Sequence, residues 1–187
     1  MSKLYRFRNI YSYGKGMVKL FIEECLNGFR IKIHGIKYLI DSRVRFYVTK
    51  KAKLDLGSKT WISENCTFSC DEGGEIELGY NNFFGKNCTI ISLKKIKIGD
   101  NNLFGPNVTI VDHDHCFRDK YNLICKQGYI KDSITIGSNI WIGGNVTICK
   151  GVTIVDRVVI GANALVSKDI NSPGVYGGIP ARKIKDI

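Results

Sequence analysis

An apolar residue recurs every six positions through most of this chain. The longest run starts at Ile136 and continues through Ile142, Ile148, Ile154, Ile160 and Val166. Four places after each stands a small or branched residue: Ile140, Val146, Val152, Val158, Ala164 and Ile170. Shorter runs keep the rule at Leu56, Ile62 and Phe68, at Leu78, Phe84 and Ile90, and at Ile98, Phe104 and Ile110. Six residues are too few for a useful helix and suit a short strand plus a corner. Three such units per turn make a triangular prism, with the first residue of each hexad pointing inward and the fifth filling the corner. One coil cannot bury its own apolar face, so a stack is required.

A longer period lies above the hexads. Runs open on two apolar residues separated by one: Leu54 and Leu56, Ile76 and Leu78, Ile96 and Ile98, Ile134 and Ile136. Three of the four continue as aliphatic-Gly-x-Asn, at Leu78–Asn81, Ile98–Asn101 and Ile136–Asn139, while the first reads Leu56-Gly57-Ser58-Lys59. Gly and Asn are expected where the corner needs left-handed backbone. The openings lie 22, 20 and 38 residues apart, each one coil of three hexads plus an insertion. The pattern thus predicts an all-β, parallel β-helix over 54–170, with a loop extruded at 112–133. Residues 1–53 are expected to form a cap and first coil, with a short helix over 16–27 and weak hexads at Ile40 and Phe46. A tail follows over 171–187.

Composition narrows the class. With 187 residues, 44% of them apolar, the chain can bury a substantial core. No run of 18 apolar residues supports a membrane span. Met1 to Arg8 alternates apolar and basic residues and lacks the apolar block of a secretory signal, so a cytoplasmic location is expected. Seven cysteines are odd in number and fit neither a disulfide framework nor a zinc ribbon; they read as small buried hydrophobes. The net charge of +11 is uneven. Residues 1–59 hold 14 Lys/Arg against 4 Asp/Glu, whereas residues 60–187 hold 14 against 13. A basic N-terminal third can meet phosphates, a polyanionic polysaccharide or an anionic membrane surface, or can be solvated charge. No nucleic-acid-binding module is visible.

The candidate chemistry lies where the repeat breaks. The long insertion opens with Asp112-His113-Asp114-His115 and holds two of the three histidines in the chain. Loops thrown out of a scaffold collect binding groups. The four residues read as a general base with an orienting carboxylate, as a metal site, or as a solvated loop.

Two stretches, Ile98 to Ile110 leading into Asp-His-Asp-His, and Ile136 to Gly144 continuing to the Gly-Ile-Pro-Ala-Arg tail, give a resemblance. From about residue 54 to the end the chain resembles the hexapeptide-repeat O-acetyltransferases, the group of the galactoside and maltose enzymes. It looks most like members acting on capsule, O-antigen or exopolysaccharide sugars. The resemblance implies left-handed coiling, acetyl-coenzyme A as donor, a sugar or oligosaccharide acceptor, no metal, and a homotrimer with its site between neighbouring prisms. It makes His115 the catalytic base, with His113, Asp112 and Asp114 orienting it or binding the acceptor. It places Trp141, Gly143, Gly144, Ala162, Ser167 and Lys168 along the coenzyme, and Arg182 and Lys185 near its phosphates. Base and coenzyme contacts then fall on neighbouring coils. The family's sugar-binding asparagine falls at Gly85, with Asn82 or Asn87 as substitutes. A γ-type carbonic anhydrase would need three zinc histidines, and His34, His113 and His115 lack its spacing. A non-catalytic β-helix scaffold is the remaining alternative.

Overall fold

The computed structural model describes residues 3–187, with side chains from residue 13 on; the side chains of Met1–Arg8 lie outside the described residues. Among the described residues the chain is mostly β, with one α-helix, and winds through six coils of a three-faced parallel β-solenoid. The first face stacks Ile31–Ile33, Lys53–Leu56, Glu75–Leu78, Lys95–Ile98, Ile134–Ile136 and Thr153–Ile154. The second begins at Tyr38–Ile40 and includes Trp61, Phe83, Leu103 and Trp141; the third begins at Arg45–Val48. Register follows the sequence intervals, with Leu54 opposite Ile76, Ile76 opposite Ile96, and Ile96 opposite Ile134. The 38-residue interval therefore crosses to the next coil without shifting the stack.

The first position of every hexad is buried from Leu56 to Val166, and both inward positions are buried in the unbroken run from Ile136 to Ile170. The N-terminal half of the prism adds a column of aromatic rings to its aliphatic core. Phe46 and Phe68 stack at 5.7 Å, and Phe84 lies nearly flat on Phe104 at 4.5 Å. Each such side chain contributes roughly 1.5–3 kcal/mol by leaving water.

The corners correct one expectation. Asn81, Asn101 and Asn139 do adopt left-handed backbone, with φ of 57°, 59° and 58°, and Lys59 takes the same geometry at its corner. The preceding glycines do not. Gly79, Gly99 and Gly137 stand outside the left-handed region. Their requirement is close stacking: a Cβ on Gly99 would lie 2.7 Å from the Gly137 carbonyl oxygen, and one on Gly105 would lie 2.6 Å from Gly144 N. Asparagine supplies the turn and glycine supplies the clearance. A second row of left-handed asparagines joins coils at the next corner, where Asn87 donates to Asn107 at 3.0 Å and Asn107 to Asn145 at 2.8 Å.

A helix, α1 (Lys3–Leu26), closes the N-terminal end and is longer than the short segment expected. Gly14 and Gly16 lie inside it, and Gly16 lets it settle on the backbone of Tyr38, where any Cβ would strike the carbonyl oxygen. Asn27 ties its end to the first coil, donating to Phe46 O and accepting from Val48 N. The tail continues the second face with Gly174–Gly177, then folds back antiparallel as Arg182–Lys185. Only three cysteines are the buried hydrophobes expected: Cys66, Cys70 and Cys88. Cys25 and Cys125 are exposed, on the helix and the long loop, where no core is available to cover them. None is disulfide-bonded.

Candidate active site

The long insertion is a β-arm. Its base pairs His113–His115 antiparallel with Tyr129–Lys131, and a short 3₁₀ turn, Ile124–Lys126, lies nearer its tip. The arm leaves from the third face after Thr109–Val111 and re-enters the first face at Ile134–Ile136. It therefore stands on the corner between those faces.

Asp112 anchors it. The carboxylate is fully buried and accepts from Leu93 N at 2.8 Å, Lys94 N at 2.9 Å and the Ser92 hydroxyl at 2.7 Å. Its Oδ1 also lies 3.1 Å from His113 Nδ1, which fixes that ring and leaves Nε2 for another partner. His115 is two residues on and exposed. The Tyr129 ring packs against both imidazoles, 5.3 Å from His113 edge-on and 4.6 Å from His115. Asp114 points the other way, 3.1 Å from Lys150 Nζ. Burial, with Asp114 adding, pushes the neighbouring Cys149 thiol up. So the four predicted residues are together, but the orienting carboxylate sits on His113 rather than His115. Ser92 and Tyr129 were not legible. Ser92 lies a coil away in sequence, and only the antiparallel pairing of the arm brings Tyr129 to the histidines. Among the described residues no three His, Cys, Asp or Glu are grouped to hold a metal ion.

The other predicted contacts lie elsewhere on the prism. Trp141 is 57% exposed on the second face, across the prism from the corner that carries the arm. Gly143, Gly144 and Ala162 follow at the corner between the second and third faces, where Gly143 stacks directly under Ala162. Arg182 and Lys185 are exposed on the folded-back strand at the edge of the second face. Ser167 and Lys168 are exposed just past the third-face strand Leu165–Val166. Arm and Trp141 do sit on neighbouring coils. One chain does not bring them together.

No family model matches the chain. Over 133 residues, 71% of its length, it is 39% identical to the galactoside O-acetyltransferase of Escherichia coli strain K12, 63% of which is covered. A solved maltose O-acetyltransferase from Clostridium difficile 630 superposes with a TM-score of 0.61 at 28% identity, covering 100% of this chain and 89% of that one. A hexapeptide-repeat acetyltransferase from Vibrio cholerae, solved with acetyl-coenzyme A, matches at 25% identity and a TM-score of 0.59, over 87% of this chain and 74% of that one. In sequence and in fold the chain is similar to these hexapeptide-repeat acetyltransferases. It spans slightly less than two thirds of the curated Escherichia coli relative.

At Gly85, where the resemblance leads one to expect an asparagine, the stacked coils exclude one. A Cβ there would lie 2.7 Å from Gly105 C and from Pro106 N, so the stacked backbone leaves no room for a side chain. Asn82 is no substitute, because it is buried and its amide donates to the carbonyls of Gly79 and Gly99. Asn87 is exposed but belongs to the external ladder, accepting from Asn65 and donating to Asn107.

Proposed function

We propose that this protein transfers an acetyl group from acetyl-coenzyme A to a hydroxyl of a sugar or oligosaccharide, in the cytoplasmic steps of surface-polysaccharide synthesis. The observation that carries this reading is the histidine pair at the base of the arm, held by the buried Asp112 carboxylate. His115 takes the proton of the acceptor hydroxyl as its oxygen attacks the thioester carbonyl. A backbone N–H stabilises the tetrahedral oxyanion, worth about 3–4 kcal/mol for one good donor. The carbon–sulfur bond then breaks, and the imidazolium returns its proton to the departing thiolate. No acyl-enzyme is formed. Trp141 packs along the pantetheine arm beside the bare backbone of Gly143 and Gly144. Ala162, Ser167 and Lys168 continue that path, and Arg182 and Lys185 meet the phosphates.

Because the arm and Trp141 lie on different sides of one prism, the complete site forms between copies, in a homotrimer. The outer second face supports this. Leu39, Trp61, Phe83, Leu103, Trp141 and Val159 stand in register down consecutive coils. The matching first-face positions are Lys32, Asp55, Glu77, Lys97, Thr135 and Thr153. An apolar column on one face of three is suited to side-by-side packing.

The His113–Asp112 hydrogen bond favours a second reading, in which His113 is the base and His115 holds the acceptor. Thiol-release kinetics with a panel of sugars, combined with calorimetric titration of coenzyme A, test both. His115→Ala should lower kcat/KM at least about a hundredfold with coenzyme binding retained. Full thiol release by His115→Ala together with its loss in His113→Ala moves the base to His113. Release by neither wild type nor variants with any sugar favours a scaffold.

A further inference from the structure

The end of the solenoid closed by α1 carries a feature the transfer reaction does not use. The inner side of the helix seats Gly16, Met17 and Leu20 on the first coil, and Leu20 is fully buried. Its outer side is also apolar. Val18, Phe21, Ile22 and Leu26 are 51–75% exposed and recur at helical spacing, with Phe29 continuing the stripe just beyond. A groove of about 490 Å³ runs past Gly14, Val18 and Ile22, flanked by Lys15, Lys19 and Glu23. A capping helix needs one apolar side. This one has two.

Charge identifies what covers the outer side. The first coil and its turns, residues 28–53, carry eight Lys/Arg and a single carboxylate, Asp41. Beyond residue 59 the chain is nearly balanced, so positive charge is concentrated at the capped end. A second copy docked there would set two basic ends face to face. A soluble polyanion would meet the charge but leave Phe21 and Ile22 in water. An anionic bilayer surface satisfies both, since an interfacial helix buries its apolar side among acyl chains while surrounding cations meet the headgroups. Neighbouring prisms packing through their flat faces would leave this end free. No helix among the described residues is long and apolar enough to cross a membrane, so the contact is peripheral.

We infer that the α1 end of this protein docks on anionic lipid surfaces, with Val18, Phe21, Ile22 and Leu26 inserted and the basic first coil lying over the headgroups. Cosedimentation of the full-length protein tests this with vesicles of phosphatidylcholine alone and of phosphatidylcholine mixed with phosphatidylglycerol. The mixed vesicles should bind it, and binding should weaken as salt shortens the Debye length towards about 3 Å. Phe21→Glu with Ile22→Glu should reduce partitioning on the order of a hundredfold, since two apolar side chains no longer insert. Both positions are exposed, and an unchanged circular dichroism spectrum and thermal midpoint check that the fold is kept. Lys37→Glu with Lys50→Glu should weaken binding to mixed vesicles more than tenfold. Equal binding to both vesicle types, or no binding to either, overturns the inference. So does a double-glutamate variant that binds like wild type or sediments as a smaller assembly, or one whose loss is matched on a soluble anionic polysaccharide without lipid.

Discussion

Asp112 shows how one side chain links the scaffold to the arm. Its two oxygens close the corner between the third and first faces by taking two backbone N–H groups and a hydroxyl from the coil before. The same carboxylate then fixes the first imidazole of the arm. Asp112→Asn exchanges an acceptor oxygen for an NH₂ that faces donors. At least one buried N–H loses its partner, at a cost of about 1–3 kcal/mol, and the His113 ring is released. A lowered thermal midpoint together with loss of thiol release is expected; a variant as stable and as active as wild type would show that the carboxylate is dispensable. The cysteines give an independent check on packing at the same scale. Burial pushes the Cys70 thiol up to about 12, so it is neither accessible nor ionised at neutral pH. In a thiol-reagent assay near pH 8, Cys25 and Cys125 should react first, whereas Cys66, Cys70 and Cys88 should react only after unfolding.

Among the elements, the strands were the most legible, because a six-residue period constrains every inward side chain. Leu54, Ile76, Ile96 and Ile134 mark coil openings in sequence and stack in the fold. The role of the corner glycines was not legible. A Gly before an Asn reads as a turn residue, and only the neighbouring coil reveals that it is required for backbone clearance. The arm was legible as an interruption but not as a hairpin, since its pairing partner lies 14–18 residues downstream across an irregular segment rather than a tight turn. The outer apolar side of α1 was hidden because its stripe merges in sequence with the residues that seat the helix. Paired substitutions separate the two corner roles. Gly105→Ala must displace the backbone at Gly144, and overpacking of this kind costs about 1–3 kcal/mol or more. Asn107→Ala keeps the existing Cβ position but loses the ladder bonds and holds φ near 58°, the backbone alone costing about 1–2 kcal/mol, and Asn107→Gly should be nearly neutral to the backbone. Chemical denaturation of the three variants should rank them in that order; a destabilised Asn107→Gly would instead assign the energy to the asparagine ladder.

At the scale of the whole molecule, the prism separates the two groups of residues proposed to act together. The arm occupies one corner and Trp141 the opposite face, and the rigid stack between them cannot fold to close the distance. In the proposed homotrimer, two copies related by rotation would bring the arm of one to the apolar second face of the next. If so, each site takes its histidines and its tryptophan from different chains, and two damaged chains can rebuild it. His115→Ala supplies an intact Trp141, and Trp141→Ala supplies an intact arm. In a cyclic assembly of chains mixed at random in equal amounts, about a quarter of the sites pair a good arm with a good tryptophan. Co-expressed variants, assayed below the KM for acetyl-coenzyme A so that Trp141→Ala is limiting, should recover about that fraction of wild-type thiol release. The same two proteins mixed after purification should recover less, because assembled chains must first exchange subunits. Activity no greater than the sum of the single variants would place the whole site on one chain, and the arm would then need a movement that the stack does not provide.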